Sequence, residues 1–169
     1  MSVIASLVLG ADGSSTFRED SEAITTPIDR QRFLARRRLS DAIVIGGNTA
    51  RNERYQRTPV PVVVVSHSRP SLLDQNPQAH WWPLTPLDAL SRAQIEFGSR
   101  ISIEGGVAFV LVLLNAGAIT QLELSITPHL GGENKVDYLH LLSYFEKVEM
   151  TRVDETLFYS CTVPLMLQR

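Results

Sequence analysis

The chain has 169 residues, a net charge of −2 and 44% hydrophobic residues, enough apolar material for one globular domain and too much for a disordered chain. The weak charge gives no basic field for nucleic acid, and no apolar run is long enough to span a bilayer. The single cysteine, Cys161, excludes an internal disulfide and a cysteine-based metal site.

Residues 2–9 (Ser-Val-Ile-Ala-Ser-Leu-Val-Leu) read as a first strand. They lack the basic start of a secretory signal, so a cytoplasmic protein is expected. Asp12-Gly13 marks a turn. Thr26 or Asp29 opens a helix running to Leu39, and its last turn carries Arg36, Arg37 and Arg38, where cations suit the helix dipole. Residues 42–45 (Ala-Ile-Val-Ile) form a second strand that breaks at Gly46-Gly47, with Thr49 heading a short helix over 49–52. Residues 61–65 form a third strand without polar alternation, as expected when both faces are covered. Residues 66–78 read as polar loop. A helix spans 86–97, with Pro86 at its start and Gly98 at its stop. Residues 100–103 form a fourth strand that runs into Glu104-Gly105-Gly106, and a helix over 107–115 is closed by Gly117. Residues 122–127 alternate as a strand, and 145–153 with 156–164 read as a hairpin joined by Asp154-Glu155. Helices between the early strands and direct pairing of the late ones predict an α/β fold. Its central sheet is mostly parallel, with helices on both faces and an antiparallel C-terminal edge.

Two strand–Gly-Gly–helix turns, at Gly46-Gly47 and Gly105-Gly106, are the main functional signal. A glycine lets a ligand approach the backbone closely, and the first N–H groups of a helix favour an anion. Two such turns predict one extended phosphate-bearing ligand held by both. The Gly-x-Gly-x-x-Gly fingerprint is missing, so an ordinary Rossmann domain is disfavoured. Glu104 reads either as a strand-end carboxylate for substrate hydroxyls or amines, or as a surface acid beside a turn. Ser66-His67-Ser68-Arg69 is either a phosphate-monoester site or a polar loop. Asp12 is either a carboxylate at the same sheet edge or simply part of a turn. His67, His80, His129 and His140 share no ligand spacing, so no metal site is expected. Trp81-Trp82 suits a core or dimer role better than an adenine cover.

In order, Ala11-Asp12-Gly13, Ile24-Thr25-Thr26-Pro27, Asp41-Ala42-Ile43-Val44-Ile45-Gly46-Gly47-Asn48-Thr49, the strand before Ser66, Ile103-Glu104-Gly105-Gly106, Ala116-Gly117 and Ile126-Thr127-Pro128-His129-Leu130-Gly131-Gly132 form a set. That set resembles the reductase domain of the bifunctional riboflavin-biosynthesis deaminase–reductase, which has the dihydrofolate-reductase-like fold. The resemblance implies an NADPH-dependent oxidoreductase. It would reduce 5-amino-6-(5-phosphoribosylamino)uracil, a small-molecule substrate, by hydride transfer to the ribose C1′. Carried over by position, Val8, Gly46, Gly47, Thr49, Glu53, Ser66, Gly105, Gly106, Val107 and Ala108 would hold the cofactor. Ser21, Arg37, Arg57 and Glu104 would hold the substrate, with Arg37 on its phosphate. Asp12 or Glu104 would move the proton. The zinc-dependent deamination would fall to another protein. A homodimer through the apolar C-terminal strands is also implied.

Gly10, Ala23 and Thr120-Gln121 depart from the family pattern, which has a serine, a tryptophan and an acidic pair there. Two other readings stand beside the first. One is a same-fold reductase of a pterin-like substrate. Dihydrofolate reductases carry an acid on the first helix, and here the only one, Asp29, sits at its very start, which ranks folate reduction below the first reading. The other is an inactive nucleotide-binding protein, which the departures allow.

Overall fold

The computed structural model describes residues 1–165. Among these described residues, ten strands and five α-helices follow one another: β1 (Ser2–Gly10), β2 (Ser14–Thr16), α1 (Pro27–Leu39), β3 (Ala42–Gly46), α2 (Gly47–Asn52), β4 (Val62–Val65), β5 (Ala79–Trp82), α3 (Pro86–Glu96), β6 (Arg100–Ile103), α4 (Val107–Asn115), β7 (Gln121–Thr127), β8 (Glu133–Lys135), α5 (Tyr138–Leu142), β9 (Phe145–Val153) and β10 (Thr156–Pro164). Eight strands form one sheet in the order β5-β4-β3-β6-β1-β7-β10-β9. The first six are parallel, and β10 runs antiparallel to both β7 and β9. The sheet is thus mostly parallel with an antiparallel C-terminal edge, as the sequence predicts. β2 and β8 pair separately as a short ribbon.

Alternation along the central strands gives the two faces different characters. One face carries Val3, Ala5, Val44, Val63, Ile101 and Ile103, packed against Ala89, Leu90 and Ala93 of α3 and Val110, Leu113 and Leu114 of α4. The opposite face has a buried apolar cluster under α2, where Ile43, Ile45, Val62 and Val64 meet Ala50 and Tyr55. Beneath α1 that face presents Ser102, Glu104, Ser6 and Glu123 instead. α1 matches it, for its buried residues are Asp29 and Arg37. A helix seated on charges leaves open space that an apolar face would have closed, and the cleft lies there.

One open choice at a helix start is decided, and two local expectations change. α1 starts at Pro27 with Thr26 as N-cap, accepting from the Asp29 N–H. α2 starts two residues earlier than expected, because Gly46 is its N-cap and Thr49 is already inside it. The stretch 66–78 is not all loop, since Ser71–Asp74 makes a 3₁₀ turn. β5, β2, β8 and α5 were not anticipated. Trp82 in β5 is buried and stacks on Phe97, with centroids 6.0 Å apart, so it serves the core. Gly10 has a packing reason as well: a Cβ there would lie 2.6 Å from the His129 carbonyl oxygen. No helix among the described residues is long and apolar enough to cross a membrane.

Candidate active site

The two glycine turns lie side by side because β3 and β6 are neighbouring parallel strands. A Cβ on Gly105 would stand 3.2 Å from the Gly46 nitrogen and 3.0 Å from Thr49 Oγ1, so the turns touch. The Gly106 N–H donates to Thr49 Oγ1 (3.0 Å), tying them together. A Cβ on Gly106 would meet nothing closer than that hydroxyl at 3.9 Å, so its backbone is open to an approaching group. α4 has no side-chain cap at its N-terminus. Its first amides are unmatched by any cap, as an anion site requires.

Before these turns opens a cleft of about 820 Å³. Val8, Thr49, Glu53, Gly105, Gly106, Val107 and Ala108 line it, as do Ser21, Arg37 and Glu104. The chain therefore brings together most of the positions marked in the sequence. Five lie elsewhere. Gly46 packs beside the Phe109 ring, and Gly47 beside Ser66 and Arg51. Ser66 is off the cleft, its hydroxyl donating to the Ser68 carbonyl (2.7 Å). Arg69, the cation expected beside it, is engaged by Asp74 (2.7 Å). Arg57 is exposed and outside the lining. Asp12 sits in the turn before β2. Its carboxylate receives Lys135, the Ser14 hydroxyl (2.5 Å) and the Gly131 N–H (2.8 Å). Lys135 above all, then Ser14, hold that carboxyl far below the usual carboxylate range.

Glu104 is not a surface acid. Its side chain and that of Arg37 are 1% and 6% exposed, and they form an ion pair of 2.6 Å. Arg37 donates through Nε as well, to Oε2 (3.0 Å) and Oε1 (3.2 Å), a bidentate contact that fixes both groups. The Ser102 and Tyr55 hydroxyls donate to the same carboxylate, each at 3.1 Å. The Arg37 guanidinium thus already has its anion, whereas the sequence reading gave it a substrate phosphate. On the rim, the Ser21 N–H donates to Glu53 Oε1 (2.8 Å) and Arg54 pairs with Glu22 (3.0 Å). These two contacts hold the loop 17–24 against the end of α2. Burial raises the Glu53 carboxyl above its ordinary range, with the Ser21 hydrogen bond opposing and Asp20 and Glu22 adding to the rise.

The structure adds Asp29, Tyr55 and Asn48 to the lining. Asp29 is buried and accepts from the Thr25 hydroxyl at 2.5 Å. Its place at the third position of α1, beside a polar sheet face, is the signal that marks it.

The sheet order, the joined glycine turns and the cleft define a domain of the dihydrofolate-reductase-like fold. The model of the RibD C-terminal domain matches residues 1–156, and the chain belongs to that family. No curated protein matches the sequence. Among solved structures, a pyrimidine reductase-like protein from Corynebacterium diphtheriae superposes with a TM-score of 0.71 at 18% identity, over 98% of this chain and 92% of that one. A deaminase/5-amino-6-(5-phosphoribosylamino)uracil reductase from Thermotoga maritima gives 0.66 at 14%, over 97% of this chain and 56% of that one. Acinetobacter baumannii RibD gives 0.62 at 16%, over 98% and 58%. At these identities the likeness is one of fold. The chain spans little more than half the length of the Thermotoga and Acinetobacter proteins.

Proposed function

We propose that this protein is an NADPH-dependent reductase acting on 5-amino-6-(5-phosphoribosylamino)uracil or a closely related phosphoribosylaminopyrimidine. The observation that carries the reading is the contact between the two glycine turns, beside an uncapped α4 N-terminus that opens on the cleft. That cradle fits a dinucleotide diphosphate: its backbone is open at Gly106, and its floor is tight at Gly105, where a Cβ would crowd Thr49 Oγ1 at 3.0 Å and the Gly46 nitrogen at 3.2 Å. The Val107 and Ala108 amides and the Thr49 hydroxyl would hold the diphosphate, which the open Gly106 backbone lets approach while its own N–H stays on Thr49, with Val8 and Glu53 beside the rest of the cofactor. When bound, the cofactor supplies the hydride, and the chain supplies orientation.

Ser21 and Glu104 would bind the substrate from the α1 side. Glu104 offers a carboxylate whose direction is fixed by four donor groups, so a substrate hydroxyl or amine would meet an aligned acceptor. Hydride addition at C1′ of the open-chain imine leaves a nitrogen that must gain a proton. Of the two carboxylates expected to relay it, Glu104 is among the residues lining the cleft and Asp12 is not, which supports Glu104 as the group that would pass on a proton taken up from water. Depletion of NADPH on adding the pyrimidine tests the reading. Glu104→Gln is expected to lower turnover at least about 100-fold, in the range of a lost general acid–base. Full turnover in that variant removes Glu104 from the relay.

Asp29 favours a second reading. A buried carboxylate lining the cleft suits the N–H donors of a pterin-like ring. A panel of pterins and pyrimidines, read by NADPH depletion, separates the two. We also propose that the chain forms a homodimer through its C-terminal strands.

A further inference from the structure

Tyr55 stands in a polar stretch, Arg54-Tyr55-Gln56-Arg57, where nothing in the sequence marks it. The fold buries it to 4% exposure. Its hydroxyl lies 3.0 Å from the Glu104 carbonyl oxygen and 3.1 Å from Glu104 Oε2. One proton faces two acceptors, and both belong to Glu104. Burial, then the Glu104 charge, push the phenol well above its ordinary range, so it stays a neutral donor. The ring lies 4.8 Å from the Arg37 guanidinium, and the Phe33 ring lies 4.6 Å from it. Two aromatic rings against one guanidinium restrict its swing.

Tyr55 is itself held. Asn76 donates to the Tyr55 carbonyl (2.8 Å) and to Thr58 Oγ1 (3.0 Å). The two residues before it reach the opposite wall, Glu53 to the Ser21 N–H and Arg54 to Glu22. Three consecutive residues thus brace two walls of the cleft, the loop 17–24 and the Glu104–Arg37 pair. A carboxylate on a flexible side chain recognises a ligand well only when neighbouring groups lock its rotamer.

We propose that Tyr55 is the positioning residue of the substrate-facing half of the cleft, acting through the Glu104–Arg37 pair. This rests on the reductase reading above. Tyr55→Phe keeps the ring and removes the hydroxyl. In the full chain with NADPH and 5-amino-6-(5-phosphoribosylamino)uracil, kcat/KM for the pyrimidine falls about 10-fold, through both kcat and the KM for the pyrimidine, as expected for one lost hydrogen bond to a charged group that both binds and relays. The KM for NADPH moves less than about twofold, because the hydroxyl reaches the cofactor side only through the Glu104 carbonyl, which the Glu104 N–H ladder to β3 also holds in place. Equal changes in both KM values, or none in either, overturn the proposal.

A second measurement does not need turnover. Exchange of the Arg37 Nε–H with water, followed by 15N NMR, becomes about 10-fold faster in Tyr55→Phe if the hydroxyl holds the pair. Unchanged exchange overturns the proposal. If the wild-type chain does not reduce the pyrimidine, the reductase reading fails, and this exchange alone decides whether Tyr55 positions the pair.

Discussion

Arg37 and Glu104 show how strongly one ion pair can depend on its setting. Removing two charges from water is costly, and only close, well-bonded geometry repays it. Here the geometry is close, with Arg37 bidentate on a carboxylate that also accepts from Ser102 and Tyr55. Glu104→Leu leaves a buried guanidinium without its partner and is expected to lower unfolding free energy by about 3–5 kcal/mol, measured by urea denaturation. Arg37→Met together with Glu104→Leu recovers most of that loss, since no charge is left stranded. Glu53 behaves in the opposite sense. Its raised carboxyl means that the folded chain holds the proton more tightly than the unfolded chain does. The ionised form therefore costs stability above the folded value, and that cost is absent below the unfolded glutamate value of about 4.3. Glu53→Gln keeps an acceptor for the Ser21 N–H and loses the charge. It should raise Tm at neutral pH, and the gain should vanish in thermal scans below that unfolded value.

At the scale of elements, the glycine turns work as a pair because β3 and β6 are adjacent, and Thr49 is the link. The sequence places Thr49 at a helix start, where a hydroxyl usually caps its own helix. It bonds instead to the next turn, at Gly106. Thr49→Val keeps the shape and removes the acceptor. NADPH affinity, read by its fluorescence, is expected to fall about 5–10-fold at little cost in Tm, the value of one hydrogen bond. Elements built on apolar runs with glycine or proline at their ends were legible: β1, β3, β4, β6, α3, α4 and the β9–β10 hairpin. β2 (Ser-Ser-Thr) and β8 (Glu-Asn-Lys) carry no apolar pattern. Long-range polar contacts set them, among them Ser15 Oγ to the Asn134 carbonyl (2.8 Å) and Lys135 to Asp12. β5 is short, and α5 is only five residues. For the site, a strand-end glycine turn is a local signal and was readable. The partners of a buried charge are not local: Glu104 meets Arg37 across 67 positions and Tyr55 across 49.

The whole molecule ends in an edge that α-helices leave open. β9 is exposed along nearly all its length, from Glu146 to Arg152. Its register with β10 sorts the side chains into two faces. Lys147 and Glu149 share the face of Ser160, whereas Val148 and Met150 share that of Cys161 and Tyr159. Val148 and Met150 are 40% and 54% exposed, on the face that inward joins the core through Leu122 and Leu124. The charges beside them guard the strand against simple edge-to-edge pairing. A partner is therefore expected to cover the apolar face rather than extend the sheet. A second copy of this chain would bury Val148 and Met150 of both subunits near the centre of a two-fold contact, where a few apolar anchors carry most of the binding energy. Met150→Lys sets a charge there and is expected to weaken association about 100-fold. Light scattering at micromolar concentration should then report a dimer for the wild type and a monomer for the variant, with NADPH affinity the same in both, because the cleft is lined by other strands and helices. A wild type that is monomeric under those conditions removes the dimer. A variant that stays dimeric moves the contact to another face.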